Sequence, residues 1–479
     1  MIPASPVAIL GWGSSGRAAA AALEARGVAT QAFDSNEVEG ATCHSDPDEL
    51  ARAIVESAPS VLVVSPGVPP HTPAIIACEK AGIPVWGEVE LAWNLQAESE
   101  YATRPWLCVT GTNGKTTTVG MLGSILRASG KRVEEVGNIG TPICAAIDTD
   151  AEIFAVELSS FQLHTSTSMS PLAAACLNVD ADHLDWHGSA EAYAADKARI
   201  YERTQVACVY PAGDEQVTDM VREADVIEGA RAIGVTLGVP DISQVGLVEG
   251  ALVDRAYVDN RRTHAIHLAD MADLAPAFGA HPTPAVVMDA LTAAALARAA
   301  DIAPEAIADG LRAYRPAGHR RAFVMEAADV SWIDDSKATN AHAALASLRG
   351  LPPRSVVWIV GGDAKGQTFD DLIAAVEPTL RGVVLIGADR SVLRDALAAG
   401  APQVPVVEVD GHEDWMFSVV NEAVALSRPG DTVILAPACA SWDQFSSYAQ
   451  RGDIFVEAVQ RLAHGWQSHE PEPSEGPQP

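Results

Sequence analysis

The sequence predicts a protein of the α/β class, built as doubly wound layers in three domains. Three observations predict it. Short β-branched runs alternate with alanine-rich stretches of helical period, the pattern of parallel strands joined by crossover helices. Glycine-rich segments stand where a strand run gives way to a helical run. The chain has 479 residues, which at roughly 150 per domain suits about three cores.

In chain order, segments 7–10, 61–64, 107–110, 154–156, 356–360, 383–386 and 433–435 read as buried parallel strands. Segments 17–26, 117–129, 285–300 and 371–375 read as helices. Two joints interrupt the alternation: a polar, irregular stretch at 96–105, and 314–319 with its Pro316 and Gly318. They divide the chain into domains 1–97, 98–316 and 317–466, and leave 467–479, rich in Pro and Glu, as a disordered tail. Residues 212–275 give too weak a pattern to place their strands.

Composition excludes several classes of function. Lys and Arg total 32 against 63 Asp and Glu, a net charge of −31. Counterion release from nucleic acid needs clustered cations, and none is visible, so neither nucleic acid nor an anionic membrane is expected as partner. No run of roughly 18 apolar residues suits a membrane span, and the first residues lack a basic segment followed by an apolar one. A cytoplasmic protein, monomeric and without membrane insertion, is the expectation. The seven cysteines are scattered, odd in number and without a C-x-x-C pair, so neither a disulfide frame nor a cysteine metal site is expected. A phosphate ligand would have to be held by backbone N–H groups and a few placed cations.

The segment Thr110-Gly111-Thr112-Asn113-Gly114-Lys115-Thr116-Thr117 follows a strand and opens a helix. Glycines let the backbone wrap a phosphate, and a helix start offers free N–H groups and the positive dipole end. Lys115 suits the β- and γ-phosphates and the Thr116 hydroxyl suits Mg²⁺. The strict G-x-x-x-x-G-K-[ST] pattern fails, because Val109 stands at the first glycine. Near the N-terminus, Gly11-Trp12-Gly13-Ser14-Ser15-Gly16 follows another strand, and Asp34 ends the next one. Alone this spells a dinucleotide fingerprint, which suits a diphosphate-bearing ligand without showing hydride chemistry.

Glu157, in Glu157-Leu158-Ser159-Ser160-Phe161-Gln162-Leu163, ends an apolar strand where a carboxylate can bind Mg²⁺ directly or through water. After a strand at 174–177 comes Asn178-Val179-Asp180-Ala181-Asp182-His183-Leu184-Asp185, which makes His183 a candidate ligand. Lys197, on a polar helix, reads by spacing as a surface lysine. In the last third, Asp334-Asp335-Ser336-Lys337-Ala338-Thr339-Asn340, Gly361-Gly362-Asp363-Ala364-Lys365-Gly366 and the stretch from Ala438 to Tyr448 each follow a strand. Their lysines and hydroxyls suit an anionic small molecule such as an amino acid with more than one carboxylate.

These motifs together resemble the Mur ligase family of peptidoglycan synthesis over nearly the whole chain, in particular its D-glutamate-adding members. The resemblance rests on T-G-T-N-G-K-T-T at 110–117, G-N-I-G-T-P at 137–142, E-L-S-S-F-Q-L at 157–163, D-H at 182–183 with K-x-R-I-Y at 197–201, D-D-S-K-A-T-N at 334–340 and P-A-C-A-S-W-D-Q-F at 437–445. It implies a Rossmann-like N-terminal domain for the nucleotide-sugar, a P-loop-type central ATPase domain and a Rossmann-like C-terminal domain for the amino acid. The implied reaction is ATP-dependent ligation of D-glutamate to UDP-N-acetylmuramoyl-L-alanine through an acyl phosphate, with two Mg²⁺ ions.

Carried over residue by residue, Gly111, Thr112, Asn113, Gly114, Lys115, Thr116 and Thr117 hold ATP, with Arg320 and Asp335 reaching it from the third domain. Thr116 and Glu157 serve one Mg²⁺. His183 serves a second beside Lys197, which the resemblance implies is carbamylated and so turned into a carboxylate-like ligand. Asn138, Gln162 and His183 contact the muramoyl substrate, and Ser14, Ser15 and Asp34 its uridine diphosphate. Lys337, Thr339, Lys365, Ser441 and Tyr448 hold D-glutamate. Lys115, Asn138, His183 and Lys197 form the implied catalytic set. Separate ligand domains predict compaction when both nucleotide and substrate bind.

The chain departs from the family pattern in places. The H-N-x-x-N motif that meets adenine is absent from 281–289, where Asp289 is the candidate substitute. Ala322 replaces the acid of H-R-x-E, Ala436 a serine, and Thr368 a common Asp. Two other classes compete. A nicotinamide-dependent oxidoreductase would explain 11–16 and leave 110–117 unexplained, and a catalytically idle relative would explain the missing asparagines.

Overall fold

A computed structural model describes residues 2–180, 182–279, 281–316, 318–411 and 414–467. The expected tail therefore lies, from residue 468, outside the described residues. The chain forms two compact units, one from residues 1–270 and 288–311, the other from 271–287 and from 312 onward. Three sheets give the three-domain α/β architecture; two lie in the first unit and one in the second.

The first sheet is wholly parallel. It holds β1 (Val7–Leu10), β2 (Thr30–Asp34), β3 (Thr42–Cys43), β4 (Leu62–Val64) and β5 (Val85–Gly87) in the order β3-β2-β1-β4-β5. Its helices are α1 (Ser14–Glu24), α2 (Pro47–Glu56), α3 (Pro73–Lys80) and α4 (Glu88–Ala97). Local chemistry sets their ends. Asp46 caps α2 by accepting from the N–H groups of Asp48 and Glu49, with Pro47 at the first helical position.

The second sheet has nine strands in the order β14-β13-β12-β11-β10-β9-β6-β8-β7. These are β6 (Trp106–Thr110), β7 (Val133–Gly137), β8 (Ile153–Glu157), β9 (Ala173–Cys176), β10 (Ala207–Pro211), β11 (Arg231–Val235), β12 (Gln244–Val248), β13 (Ala251–Asp254) and β14 (Ile266–Asp270). The sheet is parallel up to β12, and β12-β13-β14 are antiparallel. Those last three short strands and β11 lie in the stretch whose pattern sequence alone could not resolve. Its helices include α5 (Lys115–Ala128), α6 (Ile143–Ala146), α7 (Ser160–His164), α8 (Leu184–His187), α9 (Ala190–Ala198) and α10 (Glu215–Glu223). Further on lie α11 (Ala275–Phe278), α12 (Pro284–Ala299) and α13 (Pro304–Ala313).

The first two sheets share one apolar core, in which Val7 and Ile9 join Leu91, Leu95, Trp106 and Phe154. Polar contacts fasten the same seam. Glu90 of α4 accepts from the N–H groups of Thr167 (2.7 Å) and Ser168 (2.9 Å). Glu88 accepts from the N–H of Cys144 at 2.6 Å, at the start of α6. Burial pushes the Glu88 carboxyl up to about 7, against the Cys144 N–H that pulls it down. The irregular stretch before β6 is pinned as well. Arg104, 5% exposed, donates to the carbonyls of Ala151, Ile147 and Thr149.

The third sheet runs β15-β16-β20-β17-β18-β19: β15 (Ala322–Ala327), β16 (Val330–Asp334), β17 (Val356–Gly361), β18 (Leu380–Ile386), β19 (Val406–Glu408) and β20 (Thr432–Leu435). It is parallel except for the β15–β16 pair. Around it lie α14 (Ala341–Leu348), α15 (Asp370–Val376), α16 (Ser391–Gly400), α17 (Trp415–Leu426) and α18 (Tyr448–Gln467). Loops at the carboxyl ends of parallel strands are the ligand-binding edge of such sheets, and most of the candidate residues lie there.

Candidate active site

At the end of β6 the chain turns through Gly111–Gly114 into α5. Gly114 has φ +84°, the left-handed region, and a side chain there would run into the buried Asp289 carboxylate of α12. A backbone clamp absent from the sequence reading holds the loop. The Asn178 side-chain oxygen, just after β9, accepts from the N–H groups of Thr112 (3.0 Å) and Asn113 (2.9 Å), and its amide donates to the Asn113 carbonyl. The Thr112 hydroxyl is likewise engaged, with Tyr193 at 3.0 Å and with Asp180. Thr112 and Asn113 thus already have partners for their N–H groups. The N–H groups of Thr116 and Thr117 in the first turn of α5 lack intrahelical acceptors, the arrangement that suits an anion at a helix start.

Two ammonium groups converge on one carbonyl. Lys115 Nζ donates to the Gly111 oxygen at 2.7 Å and to Thr112 at 3.0 Å, and Lys197 Nζ donates to the same Gly111 oxygen at 2.8 Å. Lys197 is 2% exposed, so the spacing-based reading of a surface lysine is overturned. Burial, with Lys115 adding repulsion, pushes its ammonium down to about 7. Beside this pair, Glu157 at the end of β8 accepts from the Thr116 hydroxyl at 2.8 Å and from the Asn138 amide at 2.9 Å. Five candidates from four motifs are therefore brought to one place by the strand order β9-β6-β8-β7.

The donor set fits Mg²⁺ in part. A hydroxyl and a 3%-exposed carboxylate, 2.8 Å apart at the start of a helix, are the hard oxygen ligands this ion takes. His183 stands apart. Its side chain is half exposed, 3.5 Å from Asp182 and packed on Phe161, and no hydrogen bond or ion pair joins it to Lys197. Among the described residues no group of three or more His, Cys, Asp or Glu converges to hold a metal. Gln162 is buried with its side-chain oxygen committed to a capping box with Ser159 at the start of α7.

In the first sheet, the Asp34 carboxylate accepts from the N–H groups of Trp12 (2.7 Å) and Asn36 (2.9 Å). Burial works to raise it, but those N–H groups outweigh burial and hold it below its ordinary value. Ser14 and Ser15 open α1, and Gly16 lets the helix press on the turn, because a side chain there would collide with the Gly11 carbonyl. In the second unit, Lys337 donates to the Tyr448 hydroxyl at 3.0 Å and lies over its ring. This hydrogen bond, with help from Arg320, holds the phenol below its ordinary value.

Ser441 is buried, Thr339 is half-buried and Lys365 is exposed, and no hydrogen bond joins them to Lys337. Asp335 is buried and committed locally, accepting from the Arg321 N–H and the Ser347 hydroxyl; burial pushes it up to about 6. Arg451 of α18 was missed by the sequence reading. Fully buried, it donates to Ser336 and to the Cys439 carbonyl, binding the 334–340 loop to the 437–441 loop. Its signal was weak, a lone arginine in a long amphipathic helix. Asn178 had a better signal, an amide directly after a strand at the ligand-binding edge.

Two family profiles match the chain: the Mur ligase middle domain over residues 109–234 and the Mur ligase glutamate ligase domain over 319–439. It is 50% identical to the UDP-N-acetylmuramoylalanine–D-glutamate ligase of Streptomyces coelicolor, over 95% of this chain and 98% of that one. The protein of that name from Mycolicibacterium smegmatis is 43% identical, over 96% and 97%. Among solved structures, MurF ligase from Thermotoga maritima in complex with ADP superposes with a TM-score of 0.54 at 15% identity, covering 97% of this chain and 96% of that one. A UDP-N-acetylmuramoyl-L-alanyl-D-glutamate–2,6-diaminopimelate ligase reaches 0.57 at 14%, covering 98% and 94%. These two share the fold. The chain belongs to the Mur ligase family, within its UDP-N-acetylmuramoylalanine–D-glutamate ligase branch.

Proposed function

We propose that this protein is an acid–amino-acid ligase that joins D-glutamate to UDP-N-acetylmuramoyl-L-alanine, driven by ATP, with release of ADP and phosphate. It works in the cytoplasm, where ATP and nucleotide-sugars are made. The observation that carries the reading is the pair of lysines on the Gly111 carbonyl beside the Thr116–Glu157–Asn138 cluster.

A carboxylate is a poor electrophile. Transfer of the γ-phosphoryl group to its oxygen creates a leaving group. The amine then attacks the acyl carbon, the C–N bond forms, and phosphate departs with the electron pair as the amine gives up its proton. Such transfers are governed by positioning and neutralisation of charge. The first turn of α5 and Lys115 hold the β- and γ-phosphates. Thr116 and Glu157 would hold one Mg²⁺, and His183 with carbamylated Lys197 would hold another. Magnesium, when bound, draws charge from the phosphate oxygens.

Lys197 suits carbamylation because an amine near pKa 7 is substantially neutral at neutral pH. Its lone pair adds to CO₂, an N–C bond forms and a proton leaves. Asn138, Gln162 and His183 orient the muramoyl part, and Ser14, Ser15 and Asp34 the uridine diphosphate. Lys337 and Tyr448 hold a carboxylate of D-glutamate, with Thr339, Ser441 and Lys365. A coupled ADP-release assay with L-Ala, D-Glu, L-Lys and diaminopimelate, each with its matching UDP precursor, tests the reading. Turnover only with D-Glu is expected; turnover with another amino acid, or with none, refutes it.

A further inference from the structure

A buried polar relay lies beside the candidate site and has no part in the function proposed above. Asp196 of α9, 5% exposed, accepts from two imidazoles, His164 Nδ1 and His187 Nδ1, each at 2.9 Å, with Arg199 Nε 3.4 Å away. The His187 side chain is fully buried, and its Nε2 lies 3.0 Å from the Ser160 hydroxyl. An ionised carboxylate only accepts, so His187 carries its proton on Nδ1 and its Nε2 accepts from Ser160. Burial favours the neutral ring that this tautomer requires. Next to the relay is an aromatic stack. The His187 ring lies parallel to Phe161 at 5.4 Å, and Phe161 packs on the His183 imidazole at 4.9 Å.

The sequence positions give this relay its meaning. Ser160 is three residues after Glu157, His187 is four after His183, and Asp196 directly precedes Lys197. One carboxylate thus ties together three of the four segments that carry the proposed metal-facing groups. Taking a carboxylate and the His187 imidazole out of water is unfavourable unless they are mutually bonded, and a hydroxyl at the end of the chain fixes direction as well as distance.

The geometry points to Asp196 as a positioning residue: through His187 and Ser160 it sets the start of α7, and through the Phe161 stack it sets the His183 imidazole. This inference rests on the ligase reading and deepens it. Partners that orient metal-facing groups typically matter by about 10- to 100-fold in metal affinity or activity.

Asp196→Asn keeps size and removes the charge, and Ser160→Ala removes a single hydroxyl at the far end of the relay. The expected result for Asp196→Asn is a kcat lowered about tenfold, with KM for ATP and UDP substrate within about twofold. Mn²⁺ binding, read by electron paramagnetic resonance with a non-hydrolysable ATP analogue well below the variant's lowered thermal midpoint, weakens about tenfold. Ser160→Ala moves the same quantities in the same direction, less far. Unchanged kcat and Mn²⁺ affinity in Asp196→Asn overturns the inference. If that variant does not fold, Ser160→Ala decides: weakened Mn²⁺ binding upholds the inference and wild-type binding overturns it. Loss of D-glutamate-dependent ADP release in the wild-type protein itself would instead refute the ligase reading.

Discussion

At residues 10–16 and at residues 110–116 a parallel strand runs into a glycine-rich loop and then a helix, yet the two loops are wired with opposite charge. At the first, the Asp34 carboxylate accepts from the Trp12 N–H at 2.7 Å. At the second, the neutral amide of Asn178 accepts from Thr112 and Asn113, and two lysines meet on the Gly111 carbonyl. A carboxylate at such a turn suits sugar hydroxyls or a base N–H. Clustered ammonium groups suit a triphosphate whose charge must be neutralised during transfer. The shared turn geometry suits an anion in both places; the residues that brace it differ in the charge they would offer one.

The largest expected break in this comparison comes from Lys115→Ala. Loss of one group that stabilises transferred charge typically costs about 100- to 1,000-fold in kcat, so phosphate release should fall by that factor with the thermal midpoint near wild type. Full activity would remove Lys115 from the reaction. Next comes Lys197. Protein dialysed free of bicarbonate should lose most activity and regain it on adding bicarbonate. At fixed dissolved CO₂, regain should be faster as pH rises through about 7, because the neutral amine is the reacting form. A rate falling with pH would contradict this.

A paired test sharpens the division of labour. Asp34→Ala should raise KM for the UDP substrate about tenfold and leave KM for ATP within about twofold, and Asn178→Ala should do the reverse. If both variants shift the same constant, the two loops are not separate sites. The smallest effect concerns the seam between the first two sheets. Glu88 is buried with its second carboxylate oxygen unpartnered, and its folded value of about 7 lies above the ordinary 4.5. Its contribution to stability is then full below about pH 4.5 and is lost as pH rises through 7, at most about 3 kcal/mol. Glu88→Gln should flatten that slope in denaturant titrations between pH 5 and 8.

Much of this was legible in the sequence because local pattern and site coincide. Strand 107–110 and the helix after it announced the phosphate loop, and the structure puts β6 at Trp106–Thr110 and α5 at Lys115–Ala128. Glu157 was legible for the same reason, as the acid that ends an apolar strand. Lys197 was not, because its burial comes from packing against a loop 86 residues away in the chain. Asp196 escaped for the same cause, since its partners come from α7 and α8. The strands of 212–275 were unreadable because they are short, partly antiparallel and exposed towards their ends, so no long apolar run marks them. The dinucleotide-like glycines are ambiguous by nature: they report a tight turn under a helix, which several ligands share.

The most direct test of the central claim is a crystal structure with a non-hydrolysable ATP analogue and Mg²⁺. The account predicts β- and γ-phosphates on the first turn of α5, within hydrogen-bond reach of Lys115 Nζ, with the ion on Thr116 and Glu157. Nucleotide found elsewhere, or no density there at saturating concentration, would contradict it.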